Sequence, residues 1–189
     1  MPLFRDRSGK GGFPGKGGGF GGGFGAYTAS TPVTRDGVVY VIGGGGPTTA
    51  ATAIAVKSGG KGDVNSSQVL WRAKAGASSC SPILTGDYLC FVDATVTCLN
   101  IADGKVAYKE RLYGSKNEYV SPVASGDKIF ALTRNDGIFV IKGGGTFERL
   151  GHYDFKGDTS VFNATPAIAN GRIYVRSNEN LYCIGKVKE

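Results

Sequence analysis

The chain has 189 residues, a formal net charge of +7 and a hydrophobic share of 41%, enough for one good-sized packed domain or two small ones. No run approaches the roughly 18 apolar residues of a membrane-crossing helix, and four cysteines with a single histidine show neither a CxxC pair nor a His/Cys cluster at metal spacing. The basic surplus permits attraction to nucleic acid or anionic lipid, but Lys and Arg are scattered over strand ends and turns with no block of five or six like charges, which reads as an ordinary solvated surface.

Residues 1–26 form a Gly/Phe-rich arm that holds eleven of the 32 glycines within its first 25 positions. Four aromatics cannot repay the entropy lost on ordering so much glycine, so a flexible linker is the plain reading. Phe in a basic, Gly-rich tract can also stack on single-stranded bases, which keeps a nucleic-acid contact open as an alternative. No apolar segment of a secretory signal is visible, so the chain is expected either to be cytoplasmic or to begin inside a longer gene product.

From Tyr27 the pattern becomes short strands separated by turn signals, without a helical stripe. Strands are predicted at Ala29–Thr34, Val38–Ile42, Ala53–Lys57 and, after a polar Gly-rich insertion, around Val69–Arg72. The next set is Ser79–Leu84, Tyr88–Val92, Val96–Asn100 and Val106–Leu112. It is followed by Tyr119–Ala124, Lys128–Thr133, Ile138–Lys142 and Phe147–Tyr153. The last set is Phe162–Ile168, Arg172–Arg176 and Leu181–Ile184, where an outermost strand is missing.

These sets are copies of one unit. Each opens with a hydroxyl residue before a proline, Thr31-Pro32, Ser81-Pro82, Ser121-Pro122 and Thr165-Pro166, and the fourth and fifth residues after the proline are a turn pair: Asp36-Gly37, Gly86-Asp87, Gly126-Asp127 and Asn170-Gly171. Such pairs accept the positive φ that two-residue hairpin loops demand. Tyr40, Cys90, Phe130 and Tyr174 stand eight residues after each proline, and that constant offset pins the register, because a one-residue slip would turn every side chain to the other face. Successive prolines are 50, 40 and 44 residues apart, a blade-like period. A four-stranded meander cannot bury both its faces alone, so the expected fold is all-β, about 3.5 to 4 four-stranded antiparallel propeller blades near 27–76, 77–116, 117–160 and 161–189.

Cys98 and Cys183 occupy matching positions, where other copies have Ala55 and Val140. This favours small buried packing residues over a bridged pair and leaves the redox compartment open.

The Ser-Pro and turn pair, Leu181-Tyr182-Cys183-Ile184 and Ala102-Asp103-Gly104-Lys105 followed by Tyr108 together resemble the pyrroloquinoline-quinone-like (PQQ-like) β-propeller repeat over residues 27–185. That family's fourth strand carries an Ala/Asp, Thr-Gly-Lys, Trp motif whose indole docks between adjacent blades. Leu70-Trp71 keeps the Trp without the turn, and the third repeat has Phe147 instead.

The resemblance implies two functional classes. Quinoprotein dehydrogenases hold PQQ with calcium, a stacking Trp and a disulfide between adjacent cysteines, and none of these maps residue by residue here, so no cofactor, metal or catalytic group is expected. The non-catalytic branch, like outer-membrane assembly lipoproteins and bacterial envelope propellers, binds protein partners at one rim and implies a periplasmic or cell-envelope location. Candidate rim positions are Asp93 and Thr95, then Arg134, Asn135 and Asp136, then Asn178, Glu179 and Asn180, each also readable as a plain solvated turn. Residues 154–158 read as a connection between blades, and His152 as a strand-end surface residue. The family's ring is about twice as long, so the blades are expected to belong to a larger ring, with self-association of two chains as a further route to closure.

Overall fold

In the computed structural model, residues 29–45, 50–112 and 119–185 are described; the Gly/Phe-rich arm lies outside them. They form fifteen strands in four antiparallel sheets, with no helix among them. The first sheet is β1 (Val33–Arg35), β2 (Val38–Gly43), β3 (Thr52–Lys57) and β4 (Val69–Ala73), and the second is β5 (Ile83–Thr85), β6 (Tyr88–Asp93), β7 (Thr95–Asn100) and β8 (Val106–Arg111). The third comprises β9 (Val123–Ser125), β10 (Lys128–Leu132), β11 (Ile138–Lys142) and β12 (Arg149–Tyr153). The fourth has three strands, β13 (Ala167–Ala169), β14 (Arg172–Arg176) and β15 (Leu181–Ile184).

Each sheet pairs in sequence order, so each is one meander, a propeller blade with its shortest strand innermost. The hairpins follow their turn pairs. Asp36-Gly37 and Asn170-Gly171 have positive φ at both positions, whereas in Gly86-Asp87 and Gly126-Asp127 only the glycine does; these are the φ signatures of type I′ and type II′ loops. Register is the same in all four blades: Tyr40 opposes Ala55, Cys90 opposes Cys98, Phe130 opposes Val140 and Tyr174 opposes Cys183.

Three apolar clusters lie between successive blades. Tyr40, Ile42, Ala53 and Ala55 of the first meet Leu89, Phe91 and Leu99 of the second. Cys90, Val92, Val96 and Cys98, on the second blade's other face, meet Ile129, Ala131, Phe139 and Ile141. Leu132 and Ile138 meet Val175, with Phe155 and Phe162 beside them. The period-2 alternation thus serves two interfaces per blade, and the ring stays open after the fourth.

The inner strands are shorter than the spacing predicts. Each begins one residue after the proline, not several residues before it, because backbone groups ahead of the proline bond sideways. Thr31 N donates to Ser81 Oγ at 2.8 Å, Ser81 N to Ser121 Oγ at 2.8 Å, and Ser121 N to Thr165 Oγ1 at 3.2 Å. The hydroxyls of Ser81, Ser121 and Thr165 are therefore acceptors for the preceding blade, and these bonds run from blade to blade along the inner strands. β12 also starts late, at Arg149 in place of Phe147.

The cysteine expectation is corrected. Cys90 and Cys98, directly opposite across β6 and β7, form a disulfide with Cα atoms 4.2 Å apart. Cys183 is exposed on the outer face of β15. Its positional equivalence to Cys98 holds, but Cys98 has a cysteine facing it, whereas Cys183 faces Tyr174 in the last described blade.

Candidate binding rim

The three candidate turns lie at the same rim, where the second strand of each blade passes to the third. In the second blade Ala94, at φ 53, makes the turn between the paired Asp93 and Thr95. In the third, the buried Thr133 hydroxyl accepts from Asp136 N at 2.8 Å and donates to Gly137 O at 2.9 Å. In the fourth, Ser177 Oγ accepts from Asn180 N at 2.9 Å. These hydroxyls satisfy the turn backbone from inside, leaving Asn135, Asp136, Asn178, Glu179 and Asn180 exposed.

The connections between blades run over this rim and are tied to the turns. Leu112 N donates to Ala94 O at 2.9 Å. Between the third and fourth blades, Phe162 N donates to Arg134 O and Asn178 N to Val161 O, both at 3.0 Å. The segment 154–162 is thus stitched to both neighbouring turns.

Asp158 is the knot of that segment. Its Oδ1 accepts from Ser160 N at 2.9 Å and Ser160 Oγ at 2.6 Å, and its Oδ2 accepts from Asn180 Nδ2 at 3.0 Å and Tyr182 Oη at 2.6 Å. The Ser160 hydroxyl, followed by the Tyr182 and Ser177 hydroxyls, holds the Asp158 carboxyl well below the usual carboxylate range. The same bond to Asp158, with desolvation second, pushes Tyr182 up to about 12. Asp158 is a fixed anion whose lone pairs are occupied, a structural tie and not a proton carrier.

Beside it opens a cleft of about 390 Å³ lined by His152, Tyr153, Asp154, Phe155, Lys156 and Tyr182. Phe155 is buried and packs on Tyr182 at 4.7 Å and edge-on against Tyr153 at 5.1 Å between ring centroids. Tyr153 itself is 54% exposed. His152 stacks on Phe139 at 4.2 Å and donates from Nε2 to the Asp136 carbonyl. Further along the rim the Arg134 guanidinium sits 5.5 Å from the ring centre of Tyr119, which is 53% exposed.

The structure therefore brings Asp136 to His152 and Asn180 to Asp158 and Tyr182, and places Arg134 on Tyr119. Asp93 and Thr95 stay on the second blade. The sequence reading missed the aromatic floor, Tyr153, Phe155, Phe162 and Tyr182; the available signal was aromatic density in a connecting segment, where polar residues would suffice.

The cleft coincides with a break in the pattern of this chain's own blades. Trp71 opposes Ala55 on β4 and Tyr108 opposes Cys98 on β8. Each sits at a register shift and reaches the next blade's cluster. The third blade has Gly151 in that position, opposite Val140 at the same register shift, and a Cβ there would meet nothing within 4 Å. Phe147 packs back on Tyr108 at 5.8 Å, so it does not replace the missing aromatic.

The disulfide joins opposed strands and is buried, and Trp71 is enclosed with its Nε1 donating to Ile101 O at 2.8 Å. Among the described residues no group of three or more His, Cys, Asp or Glu is placed to hold a metal ion, and no helix is long and apolar enough to cross a membrane.

Comparison with known proteins agrees with the repeat reading. A family model described as outer membrane protein assembly factor BamB matches residues 23–110. The crystal structure of BamB from Moraxella catarrhalis superposes with a TM-score of 0.64 at 15% identity, over 83% of this chain and 46% of that one. The computationally designed Ika8 protein gives 0.60 at 11% identity, over 82% and 44%. No curated protein sequence matches. The chain spans just under half the length of the structures it resembles, and at these identities the likeness concerns the fold alone: β-propeller blades.

Proposed function

We propose that this chain is a non-enzymatic propeller scaffold that holds a protein segment on the rim formed by the turns between second and third strands, with its anchor in the cleft between the third and fourth blades. The observation that carries this reading is the cleft's construction. An exposed tyrosine, Tyr153, stands over the buried Phe155 and the partly buried Tyr182, with Asp154 and Lys156 at the edge. Aromatic floors with polar margins are where interface energy concentrates, and a rigid stack of blades presents them without reorganisation. The family description, an outer-membrane assembly factor, agrees with a protein partner in the cell envelope, and the buried Cys90–Cys98 bridge agrees with an oxidising compartment.

The test is selection of displayed peptides on the purified chain. Recovered peptides are expected to share an aromatic or long aliphatic anchor and to lose at least tenfold in affinity to Tyr153→Ala, with Arg35→Ala on the opposite rim unchanged. Failure to recover any binder, or binders sensitive only to the opposite rim, would refute the assignment.

A further inference from the structure

The axial hydrogen-bond series has two loose ends. Three of its four backbone donors find a hydroxyl in the next blade. Among the described residues the fourth, Thr165 N, has no hydroxyl acceptor beyond the fourth blade, and at the other end the Thr31 hydroxyl has no donor before the first. The two ends are complementary: one lacks an acceptor and the other lacks a donor.

The outer sheet faces are incomplete in the same sense. Val39, Val41 and Ile54 on the first blade occupy register positions equivalent to Leu89, Phe91 and Thr97, and to Ile129, Ala131 and Phe139. In the second and third blades those residues are buried against a preceding blade, whereas Val39, Val41 and Ile54 are only partly covered, and Leu70 beside them is 54% exposed. On the last blade, Tyr174, Leu181 and Cys183 occupy the positions that in earlier blades face the following one; Leu181 is 72% exposed and Cys183 is exposed too. Arg176 is the polar exception in that row. Apolar rows left uncovered at both ends of a stack are interaction surfaces.

We propose that a second copy of this chain covers both faces. The first blade of each copy packs on the last blade of the other, and Thr165 N–H of each donates to the Thr31 hydroxyl of its partner. The repeat itself argues for a second copy over an unrelated occupant. Each interior interface is one blade's far face against the next blade's near face plus one such axial bond, and a second copy reproduces all of these elements twice with two-fold symmetry. The length agrees, since one chain spans 46% of the Moraxella propeller, so two would account for nearly all of it.

Light scattering on the 189-residue chain is expected to give about 39 kDa, twice 19.6 kDa; a monomer at 100 μM would overturn the proposal. Val41→Glu and Tyr174→Lys should each yield folded monomers with unchanged β-sheet circular dichroism. Mixing the two should restore the dimer, because both changes then meet in one interface with opposite charge and leave the other native. Dimers indifferent to either change, or no recovery on mixing, would sink the head-to-tail arrangement. Thr31→Val removes no side-chain bond among the described residues of one copy and should weaken the dimer about tenfold; an unchanged dissociation constant would eliminate the axial contact.

Discussion

The indole of Trp71 occupies the space over Gly104: a Cβ on that glycine would stand 2.6 Å from Trp71 Cε3. Trp71 Nε1 donates to Ile101 O three residues earlier, so one side chain from the first blade seals the outer turn of the second. Two constraints meet at Gly104, the absence of room for a side chain and a φ of 71. Gly104→Ala should therefore destabilise by about 2–4 kcal/mol through backbone strain and overpacking. Trp71→Ala should destabilise by about 3–5 kcal/mol through the lost ring and its cavity. Urea unfolding followed by circular dichroism measures both; a cost under 1 kcal/mol for Trp71→Ala would mean that the two blades hold together without it.

The Cys90–Cys98 bridge closes a hairpin with a sequence separation of 8, and closing so short a loop restricts the unfolded chain by about 2–3 kcal/mol. Reduction, or the double variant C90A/C98A, should lower stability by that amount or somewhat more, since both sulfurs are buried against the third blade. Under denaturing, non-reducing conditions thiol titration should find two reactive groups, Cys80 and Cys183. Four would show that the pair is reduced.

Acid should loosen the stitch between the third and fourth blades in a defined direction. Because the folded Asp158 pKa is depressed, its contribution is complete above the unfolded aspartate value, about 3.9, and fades as pH falls below it. Asp158→Asn should lose stability relative to wild type at pH 6 and close that gap progressively below about pH 4. A gap independent of pH would mean that the carboxylate charge is irrelevant to the tie.

At high pH the same reasoning applies with the opposite sign to Tyr108. Burial pushes its phenol up to about 12, and its hydroxyl is buried without a hydrogen-bond partner among the described residues. Tyrosine in the unfolded chain ionises near 10, so stability is intact below about pH 10 and is lost as pH rises towards the folded value. Tyr108→Phe should be within about 1 kcal/mol of wild type at neutral pH, or more stable, because it removes an unsatisfied polar atom. It should also be less sensitive between pH 10 and 12. A loss above 2 kcal/mol at pH 7 would show that the hydroxyl bonds in solution.

Much of the fold was legible because its information is local. The turn pairs and the offset to Tyr40, Cys90, Phe130 and Tyr174 act within about ten residues, and period-2 alternation allows one register for each hairpin. That register would have been enough to place Cys90 opposite Cys98, although equivalence between repeats drew attention to Cys183 instead. The rim turns were found as turns, but their chemistry was not: the cleft at Tyr153 and Phe155 arises where segment 154–162 crosses between two blades.

What the sequence by itself determined is the blade: four copies of one meander, their registers, and a hydroxyl residue before each proline. Only the tertiary structure decided what those hydroxyls do, that Trp71 lies over Gly104, and that Asp158 binds a connection to a turn, through contacts 22 to 50 residues apart. Such contacts depend on how one sheet face seats on the next. A strand pattern states which face is apolar, but the position of a neighbouring blade's hydroxyl or glycine is set only when the two faces are packed together.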